Sequence, residues 1–175
     1  MSVDALDKKW FALYTKPRWE KKISAVLVKK EIECWCPLQK QLRQWSDRKK
    51  LVEEPVFKSY VFVKITEQER LKVLQTDGVL NFVYYLGKPA VIREEEIQTI
   101  KSYLLQKDAA ISVQSVESFE KDTRIRIKQG VFMDQEGKVV RTTGKRKVYV
   151  SLESLGQVMI VEFPAGYLEP VNDKR

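Results

Sequence analysis

"PVFKSYVFVKI", residues 55–65, is the stretch on which the fold turns. Successive residues of an extended chain point to opposite faces. The odd positions Phe57, Val61, Val63 and Ile65, interrupted by Ser59, make a core face. The even positions are Val56, Lys58, Tyr60, Phe62 and Lys64, so aromatic rings lie between lysines. Such a face needs a cover, supplied either by this chain or by a partner.

The flanks on both sides extend the pattern. "WFALYT" (10–15) reads as a strand, and Pro17 suits the first turn of a following helix. In that helix Trp19, Ile23, Val26 and Leu27 recur at helical spacing. "IECWCPL" is a short strand interrupted by Pro37, and "QKQLRQWSDRKKLVEE" reads as an extended basic hairpin turning near Ser46–Asp47. After residue 65, Thr66 and Glu69 form a capping box for a helix through "EQERLKVLQT", ended by Asp77–Gly78. "VLNFVYY" and "AVI" are strands joined by a turn through Gly87, Lys88 and Pro89. Residues 94–106 open with three glutamates, which suits a helix N-terminus, and place Ile97, Ile100 and Leu104 on one stripe.

This order predicts an α+β fold: an antiparallel sheet with helices, occupying residues 1–108. Residues 109–119 are weakly patterned and read as a linker. From residue 120 to 175, short alternating strands with glycine turns ("TRIRI", "KVVRT", "KVYVSL", "QVMIVEF", "YLEPV") predict a small β-barrel.

Composition narrows the function. The net charge is +8, which favours nucleic acid or an acidic protein surface as partner. The chain has no histidine and two cysteines, Cys34 and Cys36. Two thiols without imidazole cannot complete a tetrahedral zinc site in one chain, and a cysteine nucleophile would lack its usual base. No glycine-rich phosphate loop is present. An enzyme, a metal and a cofactor are therefore not expected. No apolar run approaches the ~18 residues of a membrane span, and the N-terminus has no secretory pattern, so a cytoplasmic monomer is expected.

Three surfaces are candidates for binding. Lys16, Arg18, Lys21 and Lys22 surround the start of the first helix, where backbone N–H groups attract phosphate; a solvated helix face explains the same residues. Arg43, Arg48, Lys49 and Lys50, with Lys40 and Trp45, make the hairpin a nucleic-acid candidate; an edge protected by cations against aggregation explains it equally. Tyr60 and Phe62, joined by Phe82 and Tyr84 on a neighbouring strand, form either a partner-binding patch or a face covered by helices.

The ordered set "WFALYTKPRWEKKISAVL", "EEPVFKSYVFVKI", "TDGVLNFVYYLGKPAVIREEEI" and "RIRIKQGVFMDQEGKVV" ending in "YLEPV" resembles the NusG family over most of residues 9–172. The resemblance implies an NGN-like first domain and a KOW domain, an SH3-like barrel, as the second. It implies binding to the clamp helices of the largest subunit of RNA polymerase through Tyr60, Phe62, Phe82 and Val83. It implies contact of Lys16, Arg18, Lys21 and Lys22 with the non-template DNA strand. Phe132 and Leu155 match KOW positions that meet a ribosomal protein or termination factor. "FKSY", with Lys58 where the family often has proline, and the basic hairpin look more like specialised RfaH-type or UpxY-type antiterminators. Those act at selected operons, including the capsular polysaccharide operons of Bacteroides. A general elongation factor and a KOW RNA-binding module of the translation apparatus, the latter motivated by Arg124, Arg126 and Lys128 on one face, are the alternatives.

Overall fold

The computed structural model describes residues 8–105, 110–115, 123–127, 136–142, 145–155, 157–164 and 168–170. The chain divides into two compact units, residues 1–94 and 95–175.

In the first unit, β1 (Lys9–Thr15) is followed by α1 (Glu20–Lys29), β2 (Glu33–Trp35), the hairpin strands β3 (Leu38–Gln44) and β4 (Lys49–Pro55), and β5 (Tyr60–Ile65). Then come α2 (Arg70–Leu74), β6 (Val79–Phe82), β7 (Tyr84–Tyr85), β8 (Lys88–Pro89) and β9 (Val91–Ile92). The main sheet runs β2-β5-β1-β6, with β9 also pairing to β1, and the described pairings are antiparallel. The hairpin β3–β4 forms a separate two-stranded sheet.

One face of the main sheet buries Phe11, Leu13, Val61, Val63, Ile65 and Phe82 with Ile23 and Leu27 of α1, Ile32, and Val73 of α2. Each such side chain is worth about 1.5–3 kcal/mol on removal from water. The odd positions 61, 63 and 65 lie on this face, as the alternation requires. Phe57 does not. Residues 56–59 form a turn with Ser59 at φ 64°, so β5 begins at Tyr60 and the alternation restarts there. The Phe57 ring instead meets Phe62 edge-on at 5.3 Å and Tyr60 at 6.5 Å.

α1 begins later than the Pro17 signal indicated. Pro17 and Arg18 form a turn, with Arg18 at φ 66°, and the helix starts at Glu20. Its C-terminus closes in a Schellman arrangement: Ile32 N–H bonds Leu27 C=O at 3.0 Å and Glu31 N–H bonds Val28 C=O at 3.0 Å, with Glu31 at φ 61°. The capping box is present, since Thr66 N–H donates to the Glu69 carboxylate at 2.9 Å, although helical geometry starts only at Arg70. Gly78, at φ 91°, passes under α1, where a Cβ would overlap the Trp19 indole. The expected strand 79–85 breaks after Phe82. The turn between β7 and β8 lies at Leu86 and Gly87, both at positive φ, which is hairpin-turn geometry.

In the second unit, α3 (Glu94–Leu104, continuing from the first unit's last residue) precedes β10 (Ala110–Ser115), β11 (Thr123–Ile127), β12 (Glu136–Thr142), β13 (Lys145–Leu152), a 3-10 helix (Glu153–Leu155), β14 (Gln157–Pro164) and β15 (Leu168–Pro170). The strands form an antiparallel sheet in the order β10-β14-β13-β12-β11-β15. Strand 110–115 falls within the stretch expected to be linker; its pairing to β14, more than forty residues away, leaves no local pattern. On α3 the buried residues are Glu96, Ile97, Ile100 and Tyr103, so Tyr103 takes the place expected for Leu104.

Candidate functional site

The face of the main sheet opposite the core cluster carries the aromatic residues. Tyr14 stands directly across from Tyr60, and Ala12 across from Phe62. The two tyrosine rings are 5.0 Å apart, and the Tyr60 hydroxyl donates to the Tyr14 hydroxyl at 3.3 Å. Tyr14 is 39% exposed and Tyr60 is half-buried. Phe62 is fully buried, its ring between Trp35 at 5.8 Å and Phe57 at 5.3 Å.

Of the four residues expected to form a docking patch, only Tyr60 therefore reaches the surface. Phe57 links it to Phe62, since its ring meets Tyr60 at 6.5 Å and Phe62 at 5.3 Å. Phe82 lies on the other side of the sheet, because it pairs with Leu13 and shares that residue's core face. Its ring meets Phe11 edge-on at 5.7 Å, with the Arg70 guanidinium 5.4 Å from its centroid. Val83 is buried, donating its N–H to Ala12 C=O and accepting from Ala90 N–H, both at 2.8 Å. Tyr14 was missed, although it is the even-numbered member of β1 that alternation aligns with Tyr60. Tyr84 is exposed, and its side chain bonds Arg70, the cation beside Phe82.

The cations at the start of α1 surround a ring and a groove. Lys16 and Lys22 hold their ammonium groups 4.9 and 4.0 Å from the Trp19 ring centroid, and Lys16 also lies 3.8 Å from Asp77. Lys21 bonds the Glu53 carbonyl of β4. Buried Glu20 accepts a 2.7 Å bond from Ser59 N–H, tying α1 to the turn before β5. Arg18, Lys21, Arg43, Glu53 and Lys58 border an open groove of 520 Å³ between α1 and the base of the hairpin.

On the hairpin, Arg43 is bound through two nitrogens to Glu54, at 3.0 and 2.7 Å. The guanidinium holds the Glu54 carboxyl below its ordinary range, and the carboxylate raises Arg43 in return. This expected phosphate contact is thus engaged within the hairpin. The turn lies where the sequence placed it, with Trp45 N–H bonding Arg48 C=O at 2.8 Å. Trp45 is half exposed, with the Arg48 guanidinium 5.8 Å from its ring.

Leu155 is buried at 7% exposure, contrary to an apolar residue presented to a partner. Its neighbour Ser154 donates through N–H (3.2 Å) and hydroxyl (2.6 Å) to the buried Glu96 carboxylate of α3. Phe132 lies outside the described residues. Burial pushes the Cys36 thiol up to about 12 and also raises Cys34, so both stay protonated and poorly nucleophilic near neutral pH. Among the described residues no cluster of metal-ligating side chains occurs, and no helix is long and apolar enough to cross a membrane.

With this geometry in place, residues 8–101 match the family model "Transcription termination factor nusG". The chain belongs to the NusG family. The transcription termination/antitermination protein NusG of Streptococcus pyogenes serotype M1 is 30% identical, over 91% of this chain and 94% of its own length. The NusG of Staphylococcus aureus strain MW2 is 27% identical, over 97% of this chain and 99% of its own. A solved structure described as "Domain interaction in Thermotoga maritima NusG" shares the fold at 20% identity and TM-score 0.55, covering 96% of this chain and 99% of that one. The α+β first unit, with its antiparallel sheet and helices, is the fold that the NusG resemblance implied.

Proposed function

We propose that this NusG-family chain is a transcription termination/antitermination factor that binds RNA polymerase and suppresses pausing and termination, without bond chemistry of its own. The observation that carries the reading is the Tyr14–Tyr60 pair. Two phenol rings in tilted contact reach the surface of a sheet in which Trp10, Phe11, Phe62 and Phe82 are buried. The pair offers a rigid, amphipathic surface of the kind favoured at protein interfaces. The clamp helices of the largest subunit are the proposed partner, and Phe62 acts through the Phe57 ring that packs against both it and Tyr60.

Lys16, Arg18, Lys21 and Lys22 are proposed to meet the non-template DNA strand beside that contact. The second unit is proposed to take a ribosomal protein or termination factor through its KOW surface, Phe132 included. Action at selected operons is supported by Lys58 in "FKSY" and by the basic hairpin.

The test is recovery of core polymerase by the purified chain and by Tyr14→Ser/Tyr60→Ser, paired with in vitro transcription through a pause and a terminator. The double variant is expected to lose at least tenfold in polymerase recovery and to lose readthrough. Equal recovery by both proteins removes the assigned surface. Unchanged pausing with the wild-type chain removes the function.

A further inference from the structure

The distal half of the β3–β4 hairpin combines three observations that the polymerase reading does not use. First, Leu42 and Leu51 face each other across the hairpin and are 63% and 58% exposed, so no described part of the chain covers them. Second, Trp45 at the turn is 51% exposed, while Trp10 is 5% exposed and Trp19 and Trp35 are only partly accessible. Third, the segment 43–50, "RQWSDRKK", carries four cations against one acid, Asp47. Arg43 is consumed by Glu54, but no acidic partner holds Arg48, Lys49 or Lys50 among the described residues.

We propose that this hairpin tip is a binding site for single-stranded nucleic acid, with an unpaired base stacked on the Trp45 indole. The inference rests on the reading of the hairpin as a nucleic-acid surface and assigns it a substrate class. The Arg48 guanidinium lies over one face of the indole, which leaves the other face of the half-exposed ring for a base. Stacking needs an unpaired base, because the faces of a paired one are occupied by its neighbours in the duplex. Base–aromatic stacking tolerates any sequence, since every base has a π-face. Arg48, Lys49 and Lys50 follow the Ser46–Asp47 turn on the returning strand and supply phosphate contacts beside the stacked base. The Leu42–Leu51 pair lies three residues from Trp45, so strand alternation puts it on the opposite face of the ribbon, and it takes no part in the stack. The charge favours a polyanion over an apolar protein surface. Arg43–Glu54 acts as a brace that keeps the two strands in register, so its loss would weaken the site without removing a contact to the ligand.

The experiment uses the full chain without polymerase, so that its outcome is separate from that of the clamp contact. Intrinsic tryptophan fluorescence is titrated with a twelve-residue oligo(dT) and with a twelve-base-pair duplex at low salt. Oligo(dT) is expected to quench the emission and to bind more tightly than the duplex. Trp45→Leu is expected to weaken oligo(dT) binding roughly five- to 100-fold, while Trp45→Phe retains most of it. Lys49→Gln/Lys50→Gln is expected to lower the salt slope by about 1.4. In the wild-type chain, bound oligo(dT) is also expected to shield the exposed indole from acrylamide, a readout that needs no variant to fold. Equal binding by Trp45→Leu, equal or tighter binding of duplex, or acrylamide quenching unchanged at saturation each overturns the proposal.

Discussion

The main sheet and the β3–β4 hairpin lie in the same compact unit and treat their apolar residues in opposite ways. In the sheet, strand pairing places Phe62 between Trp35 and Phe57, and the rim of the aromatic layer, Tyr14 with Tyr60 and part of Trp35, reaches water. In the hairpin, Leu42 and Leu51 pair as closely in register as any residues of the sheet, yet both remain more than half exposed. The difference is the second layer. A two-stranded ribbon has no third strand and no helix over its distal half, and such ribbons are marginal alone in water. Cross-strand contact by itself does not bury a side chain; it only places it. Aromatics on the sheet are therefore mostly structural, whereas those on the hairpin are available for binding.

The largest expected effect tests that contrast directly. Phe62→Ala is expected to cost about 3–5 kcal/mol in urea denaturation, because it empties a filled aromatic layer. Leu51→Ala is expected to stay within about 0.5 kcal/mol, as for a surface site. Comparable costs would mean that the hairpin leucines have a cover in solution. Next in size is Gly78→Ala, expected to cost more than about 1 kcal/mol. A Cβ there meets the Trp19 indole, and a φ of 91° is unfavourable for alanine. Loss of that packing should lower the thermal midpoint while leaving oligo(dT) binding at Trp45 intact, since the two tryptophans serve different regions.

The smallest effect belongs to the brace. The Glu54 carboxyl is held low by Arg43, so its contribution is present above the ordinary carboxylate range and is lost as pH falls through the lowered value. Glu54→Gln, or acid below the ordinary carboxylate range, is expected to speed amide exchange at Arg43 to Glu53 with little change in global stability. The pair is exposed and worth little to the whole fold. A shift of the global unfolding midpoint as large as that of Phe62→Ala would show that the hairpin folds as one unit with the sheet.

Much of this division was legible in the sequence. The alternation of 60–65, the α1 stripe, the hairpin turn and the capping box follow from local chemistry, and each is present. What local pattern missed depended on backbone or distance. Ser59 at positive φ resets the alternation, which moves Phe57 to the aromatic face. Arg18, also at positive φ, delays α1. Phe82 is aromatic and next to a glycine turn, but its face is decided by pairing with Leu13, not by its neighbours in sequence. Strand 110–115 exists through β14 alone. For the candidate site, the region was found, and the accessible members were partly misassigned. Composition marks an aromatic cluster but does not distinguish its rim from its interior.

Glu96 carries a consequence for anyone who divides this protein. Its carboxylate is buried, and Ser154, nearly sixty residues later, supplies both an amide and a hydroxyl proton to it. A fragment cut after residue 108 would keep α3 but strip that acid of both Ser154 protons, and the helix would lose two hydrogen bonds that it makes in the intact chain. Severing the chain ahead of the helix instead would let the acid travel with the serine that satisfies it.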